Sequence, residues 1–302
     1  MRRKARKNYR LEVRGSSALL KTYPKTSVTV AVLSDIHAPF YDPHAIELAL
    51  RIISQAEPDV VILNGDIVDF VGISRFSTSP IRRAHFHQEV EQCADFLRFL
   101  VPKFRGADVI YLAGNHEERL KRYLWSRAPE LSHLSALSIE KLFDLERLGV
   151  IYLETSEHLT SFEDFVAAQV VINERLYITH GHSIRSSGNL VNVARTVYHK
   201  VLVPMLIGHW HRVQHHEETS YDGRTSGVWV SGCLCYPRPA YDAGRIWGQG
   251  ICIIDVKGEW FRPTLISFFR RDRMLHAIYN GTLYSLSLDK KPRVPIPVHP
   301  TI

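Results

Sequence analysis

Short, almost unbroken apolar runs recur along the chain, and each closes on a polar cluster. Val28-Thr29-Val30-Ala31-Val32-Leu33 precedes Asp35-Ile36-His37, Val60-Val61-Ile62-Leu63 precedes Gly65-Asp66-Ile67-Val68-Asp69, and Val109-Ile110-Tyr111-Leu112 precedes Gly114-Asn115-His116-Glu117. Later, Leu176-Tyr177-Ile178-Thr179 precedes His180-Gly181-His182, and the stretch from Val201 to Ile207 leads into Gly208-His209-Trp210-His211. A strand that is apolar at nearly every position has to be covered on both faces, as in the sheets of α/β proteins. Ligands in such sheets bind beyond the carboxyl ends of the strands, so residues distant in sequence can meet there.

Helical periods fill the gaps. From Asp42 to Ala56 the apolar positions Ala45, Ile46, Leu48, Ala49, Ile52 and Ile53 trace one face, and Glu57-Pro58-Asp59 ends the helix. A second helix is expected from about Gln88 to Phe104, with Val90, Cys93, Phe96, Leu97 and Leu100 inward. Leu11 to Thr26 has no clear period and reads as a lead-in to the first strand. Lys121 to about Leu159 reads as a helical insertion; together with the turn before it, it supplies Arg119, Arg122, Tyr123, Trp125 and Arg127, a set of arginines and aromatics suited to pair with and stack on a nucleotide, with plain packing as the leading reading of Tyr123 and Trp125. Downstream, strands such as Val228-Trp229-Val230-Ser231 and Gly250-Ile251-Cys252-Ile253-Ile254-Asp255 alternate with Gly turns and are expected to form a second sheet packed on the first. The expected fold is α/β: a four-layer α-β-β-α sandwich of two mixed sheets with outer helices. Residues 27–288 make one domain, preceded by a basic arm and lead-in (1–26) and followed by an extended Pro/Lys-rich tail (289–302).

Composition narrows the class. With 302 residues and 45% hydrophobic content the chain can bury a large single core. No run is long enough to cross a bilayer, and the first ten residues lack the apolar stretch of a signal peptide, so a cytoplasmic location without membrane association is expected. Cys93, Cys233, Cys235 and Cys252 fall in no paired zinc spacing and read as small core residues. The net charge is +7, and six of the first ten residues are Lys or Arg. That arm is either a solvated tail or a nucleic-acid contact.

The polar clusters carry the chemistry. An Asp and a His two apart, as in Asp35 and His37, both reach one cation if the backbone leaves strand geometry; His209 and His211 repeat the spacing. Carboxylate, amide and imidazole donors without thiolate favour Mn, Fe, Zn, Ni or Co over Mg. Asp66, in a tight Gly-Asp turn, is the candidate to bridge two such ions about 3.5–4 Å apart, a pair that can hold a phosphoryl group and bring a shared water to a pKa near neutral. The histidines outside the clusters, His199 and His216 among them, read as ordinary surface or packing residues.

From about Ser34 to His211 the five clusters, in order, resemble the calcineurin-like metallophosphoesterase superfamily, whose pattern runs D-x-H, G-D-x-x-D, G-N-H-E/D, H and G-H-x-H. The resemblance implies one metal held by Asp35, His37, Asp66 and His211 and a second held by Asp66, Asn115, His180 and His209. It implies that His116 stabilises the transition state or protonates the leaving oxygen, with Asp69 supporting it. His182 is the alternative ligand or substrate contact in the fourth cluster. Arg75, Arg82 and Arg83, in the polar loop after Asp69, are candidates to meet substrate phosphates. The leading function is a phosphodiesterase or nuclease acting on a nucleotide or nucleic acid, with the basic arm as a nucleic-acid contact. A phosphomonoesterase or protein Ser/Thr phosphatase is the alternative, weakened because Phe70 and Ala113 stand where that group carries arginines. A non-catalytic metal-binding scaffold is the third.

Overall fold

The computed structural model describes residues 7–75, 86–155, 167–184, 190–238 and 247–297. Arg82 and Arg83, the arm before Lys7, the end of the expected insertion and the last tail residues lie outside them. In chain order the described elements begin with a hairpin, β1 (Tyr9–Arg14) and β2 (Ser17–Thr22). Next come β3 (Ser27–Leu33), α1 (Pro43–Ala56), β4 (Val60–Asn64), α2 (Phe86–Leu100), β5 (Asp108–Leu112), α3 (Glu117–Arg127), the single-turn α4 (Ile139–Leu142) and β6 (Val150–Leu153). Then follow β7 (Gln169–Ile172), β8 (Leu176–Thr179), α5 (Val193–Val201), β9 (Met205–Ile207), β10 (Gln214–Thr219) and β11 (Thr225–Val230). The chain closes with β12 (Gly250–Lys257), β13 (Trp260–Ser267), β14 (Phe269–Arg271), β15 (Met274–Tyr279) and β16 (Thr282–Ser287).

Two mixed sheets result. One has the order β13-β12-β3-β4-β5-β6, the other β1-β2-β7-β8-β9-β11-β10. Strands β3 to β6 run parallel, β12 pairs antiparallel with β3, and β8 runs parallel with β9. The near-continuous apolar strands are explained by three separate cores. Val30, Val32, Ile62 and Ile110 face Ala18, Val170, Ile178 and Leu206 between the sheets. Ala31, Leu33, Val61 and Tyr111 turn the other way, onto Ile46, Ile52, Phe96 and Leu97 of α1 and α2. On the far side of the second sheet, Val193, Ala194 and Val197 of α5 cover Ile207, Val228 and Val230. This is the four-layer α-β-β-α sandwich.

Helix α1 starts where the pattern predicts. Asp42 accepts from the N–H groups of His44 and Ala45 at 3.0 and 3.4 Å, Pro43 opens the first turn, and Glu57 ends the helix in the left-handed region. Such a cap contributes about 1 kcal/mol.

Several elements differ from the sequence expectation. The lead-in is a hairpin: Ala18 and Leu20 are buried, but alternate Arg, Glu and Lys positions on this edge mask the period. Strands β12 and β13 extend the first sheet instead of building the second, and β14 to β16 make a separate small sheet whose Leu275, Ala277 and Leu286 join the α1 core. Val150–Leu153 lies inside the range read as insertion, yet it pairs with β5. Tyr123 and Trp125 are exposed and pack into no core. The tail also has anchors: Val294 is buried, the Arg293 N–H donates to Glu47 and the Tyr41 hydroxyl donates to the Pro295 carbonyl.

Phe143, within the segment read as insertion, is fully buried and stacks on Phe70 with ring centroids 6.1 Å apart. Phe143→Ala is expected to cost about 3–5 kcal/mol in denaturant unfolding. A loss below about 1 kcal/mol would mean that this segment is not integral to the core.

Candidate metal centre

The five polar clusters meet at one place, beyond the carboxyl ends of β3, β4, β5, β8 and β9. Their backbone leaves strand geometry sharply. Asp35 and His37 have φ of 53° and 52°, Asp66 50°, and His209 and His211 65° and 50°. Non-glycine residues seldom adopt this left-handed region, and its concentration here marks a site whose side-chain directions outweigh backbone strain. It is how two side chains two residues apart come to point the same way. Gly65 and Gly114 are required by close approach: a Cβ on Gly65 would lie 2.5 Å from the His180 ring, and one on Gly114 would collide with Asp66.

Two groups of donor atoms share Asp66. In the first, His211 Nε2 lies 3.0 Å from both Asp35 Oδ1 and His37 Nε2, and His37 Nε2 lies 4.0 Å from Asp66 Oδ2. In the second, His180 Nε2 approaches Asp66 Oδ2 to 3.2 Å, and His209 completes a cluster with them. The other oxygen, Asp66 Oδ1, accepts the His116 backbone N–H at 2.9 Å, which leaves Oδ2 facing both groups.

Hydrogen bonds on the rear nitrogens fix the tautomers. His37 Nδ1 is 3.0 Å from Asp69 Oδ1, and His180 Nδ1 donates to the Asn64 carbonyl at 2.9 Å, so the Nε2 lone pairs point inward. Asn115 Oδ1 and His209 Nδ1 are buried without any hydrogen-bond partner, and His180 Nε2 faces only the Asp66 carboxylate. Orphaned buried acceptors are costly, and here they have the donor chemistry of a cation site. The buried His/Asp clusters therefore fit two metal ions.

Electrostatics agree. Burial pushes Asp35 and Asp66 up, but the facing imidazoles outweigh it and hold both carboxyls below the ordinary range. Burial would lower His180, yet the Asp66 and Asp35 charges raise it to about 10; Asp35 likewise raises His211. His209 is lowered to about 3 by burial and by His180, and His37 is lowered by burial and by His116. Without cations, the Asp66 and Asp35 charges thus favour a second proton on His180, at the Nε2 that a metal would take over.

The described residues singled out in the sequence can now be placed. Asp35, His37, Asp66, Asn115, His180, His209 and His211 come together, with Asp69 and His116 against them. His116 Nδ1 donates to the Asp69 carbonyl at 2.8 Å, and its Nε2 lies 3.6 Å from Asp66 Oδ2. His182 instead holds Glu118, at 3.0 Å. Arg122 pairs with Glu118, Arg75 is exposed and Lys7 is engaged by Asp108.

The part that three residues play beside the centre was not read from the sequence, although Arg119 was singled out as a candidate nucleotide contact. Glu117 accepts from the N–H groups of Asp66, Ile67, Val68 and Gly114 and from the Tyr111 hydroxyl, so one carboxylate ties the Asp66 turn to the Asn115 turn. Burial and the Asp66 charge push this carboxyl above the ordinary range, against the pull of the Tyr111 hydroxyl, His180 and the Gly114 N–H. Arg119, one helical turn after His116, donates to His116 Nε2 and to the Asp69 carbonyl at 2.8 and 2.7 Å. The Trp247 ring lies 4.0 Å from His211 and 6.4 Å from His37. The spacing of Arg119 from His116 was a usable signal; nothing local marked Trp247.

Residues 28–232, which include all five clusters, match the Calcineurin-like phosphoesterase family. The chain is similar to the Gene 54 protein of Mycobacterium phage L5, at 27% identity over 255 residues, 80% of this chain and 93% of that protein. It is also similar to the Gene 54 protein of Mycobacterium phage D29, at 26% over 253 residues with the same coverage. A dimetal phosphatase structure from Danio rerio overlays with a TM-score of 0.39 at 11% identity, covering 86% of this chain and 98% of that one, a likeness too remote to bear on activity.

Two outcomes are expected. Loading the metal-free protein with Mn at pH 7 displaces the second proton of His180, raised to about 10, releasing about one per chain into weak buffer, and lowering the pH weakens binding; no release would contradict the proton placement. Glu117→Gln turns an amide N–H toward backbone N–H groups, costing on the order of 3 kcal/mol of stability and at least about tenfold in metal affinity. An unchanged affinity by calorimetry would remove Glu117 from the support of the centre.

Proposed function

The chain belongs to the calcineurin-like phosphoesterase family, and on that premise we propose that it is a two-metal phosphodiesterase acting on a nucleotide or nucleic acid. One observation carries the hydrolytic part: buried, unpartnered donor atoms converge on a single shared carboxylate, Asp66. Asp35, His37, Asp66 and His211 hold one divalent cation; Asp66, Asn115, His180 and His209 hold the other. When bound, the pair supplies Lewis acidity to the phosphoryl oxygens and a hydroxide nucleophile near neutral pH.

The surrounding residues do the rest. Burial would lower the pKa of His116, but the carboxylates of Asp66 and Asp69 raise it, so the ring would take up a second proton for the leaving oxygen once a phosphate draws Arg119 away from Nε2. Asp69, at 3.0 Å from His116 Nδ1 and from His37 Nδ1, orients both rings. Arg119 stands at His116 Nε2, so a phosphate oxygen entering there meets a guanidinium and an imidazole together.

Three features favour a diester over a monoester. Phe70 and Ala113 occupy the positions where protein Ser/Thr phosphatases carry phosphate-gripping arginines, and both are buried apolar residues, 0% and 2% exposed. A doubly charged monoester loses more from that substitution than a singly charged diester. Trp247 packs its ring against His211, and an aromatic ring at the centre suits a substrate that carries a base.

With Mn-loaded protein, a generic aryl diester and single- and double-stranded nucleic acid are compared with an aryl monoester. Diester or nucleic-acid cleavage exceeding the monoester by about tenfold, about 1.4 kcal/mol in barrier, is expected; monoester-only turnover would overturn the substrate assignment. His116→Ala is expected to lower kcat by about 10²-fold while the metal content is kept. Full turnover in that variant would remove the role given to His116.

A further inference from the structure

A second group of donor atoms lies outside the five clusters. Strand β10 is the edge of the seven-stranded sheet, and its alternation turns Gln214, His216 and Glu218 to the face that α5 covers, while His215 stacks on Trp229 on the other face. Gln214 pins the start of α5: its Nε2 donates to the Val191 carbonyl at 2.8 Å and its Oε1 accepts the Ala194 N–H at 3.4 Å. At the other end, His199, in the last turn of α5, comes down beside His216 and Glu218. His216 Nε2 is 2.8 Å and His199 Nε2 3.3 Å from the same oxygen, Glu218 Oε1. All three donor atoms lie within 4.8 Å of one another.

We propose that His199, His216 and Glu218 form an accessory zinc site that staples α5 to β10, separate from the Asp66 centre. Two imidazoles and one carboxylate are a zinc donor set, and bonds of about 2.0–2.1 Å at tetrahedral angles place ligand atoms about 3.3 Å apart, the separation of His199 from Glu218. The elements are already docked by Val193, Ala194 and Val197, so little ordering is needed on binding. A cation there also sits at the C-terminal end of α5, where the helix dipole favours positive charge. Glu218 is held below the usual carboxylate range, first by its hydrogen bond to His216, and is ionised for binding. The remaining coordination position faces solvent, because the His199 and Glu218 side chains are 48% and 41% exposed. Arg195 lines the same depression and opposes the cation, so the binding is weaker than at a closed structural site.

The position gives the staple a purpose. The chain between His199 and His216 contains β9 and the cluster Gly208-His209-Trp210-His211, so the cross-link closes a loop around two proposed ligands of the main centre.

The test uses the full chain. Metal-stripped protein is equilibrated with buffered micromolar Zn, and bound zinc is counted by mass spectrometry for wild type, His199→Gln and Glu218→Gln. One zinc fewer per chain in each variant is expected, with an unchanged zinc-free melting temperature. In a His209→Ala background, which leaves the first site of the Asp66 centre in place, the zinc-dependent rise in melting temperature should be smaller once Glu218→Gln is added. Equal zinc counts in wild type and both single variants would overturn the proposal, leaving a hydrogen-bonded triad on the surface. Because these readouts are zinc content and melting temperature, they stand or fall independently of hydrolysis.

Discussion

A single buried carboxylate organises this protein. Asp66 is 1% exposed, sits in a left-handed turn and divides its two oxygens between tasks: Oδ1 takes a backbone N–H, and Oδ2 faces the imidazoles of His37, His116 and His180. Asp35 and Asp66 buried together, with Asp69 beside them, would repel one another and resist desolvation by several kcal/mol each. What offsets this is not Lys or Arg but imidazole, backbone N–H and, in the proposed holoprotein, two cations. Arg119, the guanidinium nearest this group among the described contacts, bonds His116 and a carbonyl and leaves the carboxylates free.

The sandwich delivers those groups in a definite order. Parallel strands β3, β4 and β5 end at the same level and release Asp35, Asp66 and Asn115; the parallel pair β8 and β9 of the other sheet releases His180, His209 and His211. The ladder continues past the strand ends, with the N–H groups of Asp35, His37 and Ala38 donating to the carbonyls of Gly65, Asp66 and Ile67. Beneath it, Glu117 locks the Asp66 and Asn115 turns together. A site assembled this way is rigid before any ligand arrives, which is what differential stabilisation of a transition state requires.

Much of this was legible in the sequence, for a physical reason. Strands covered on both faces must be apolar throughout, so β3, β4, β5 and β8 stood out, and the polar clusters that ended them had nothing to do with packing. Helix α1 was legible from its period and from Asp42 and Pro43. The β1–β2 hairpin was not, because an edge buries one face only and charged residues fill the other. The sheet to which β12 and β13 attach depends on pairing choices that alternation alone does not encode, and β6 was hidden inside a segment rich in short helical turns. In the site, residue identity was legible but support was not: Glu117 looks like one more helix-start acid until five donors are seen to converge on it.

The most direct measurement is anomalous diffraction from crystals grown with Mn. The account predicts two peaks about 3.5–4 Å apart flanking Asp66 Oδ2, one beside Asp35, His37 and His211 and the other beside Asn115, His180 and His209. A single peak, or two that do not share Asp66, would contradict it.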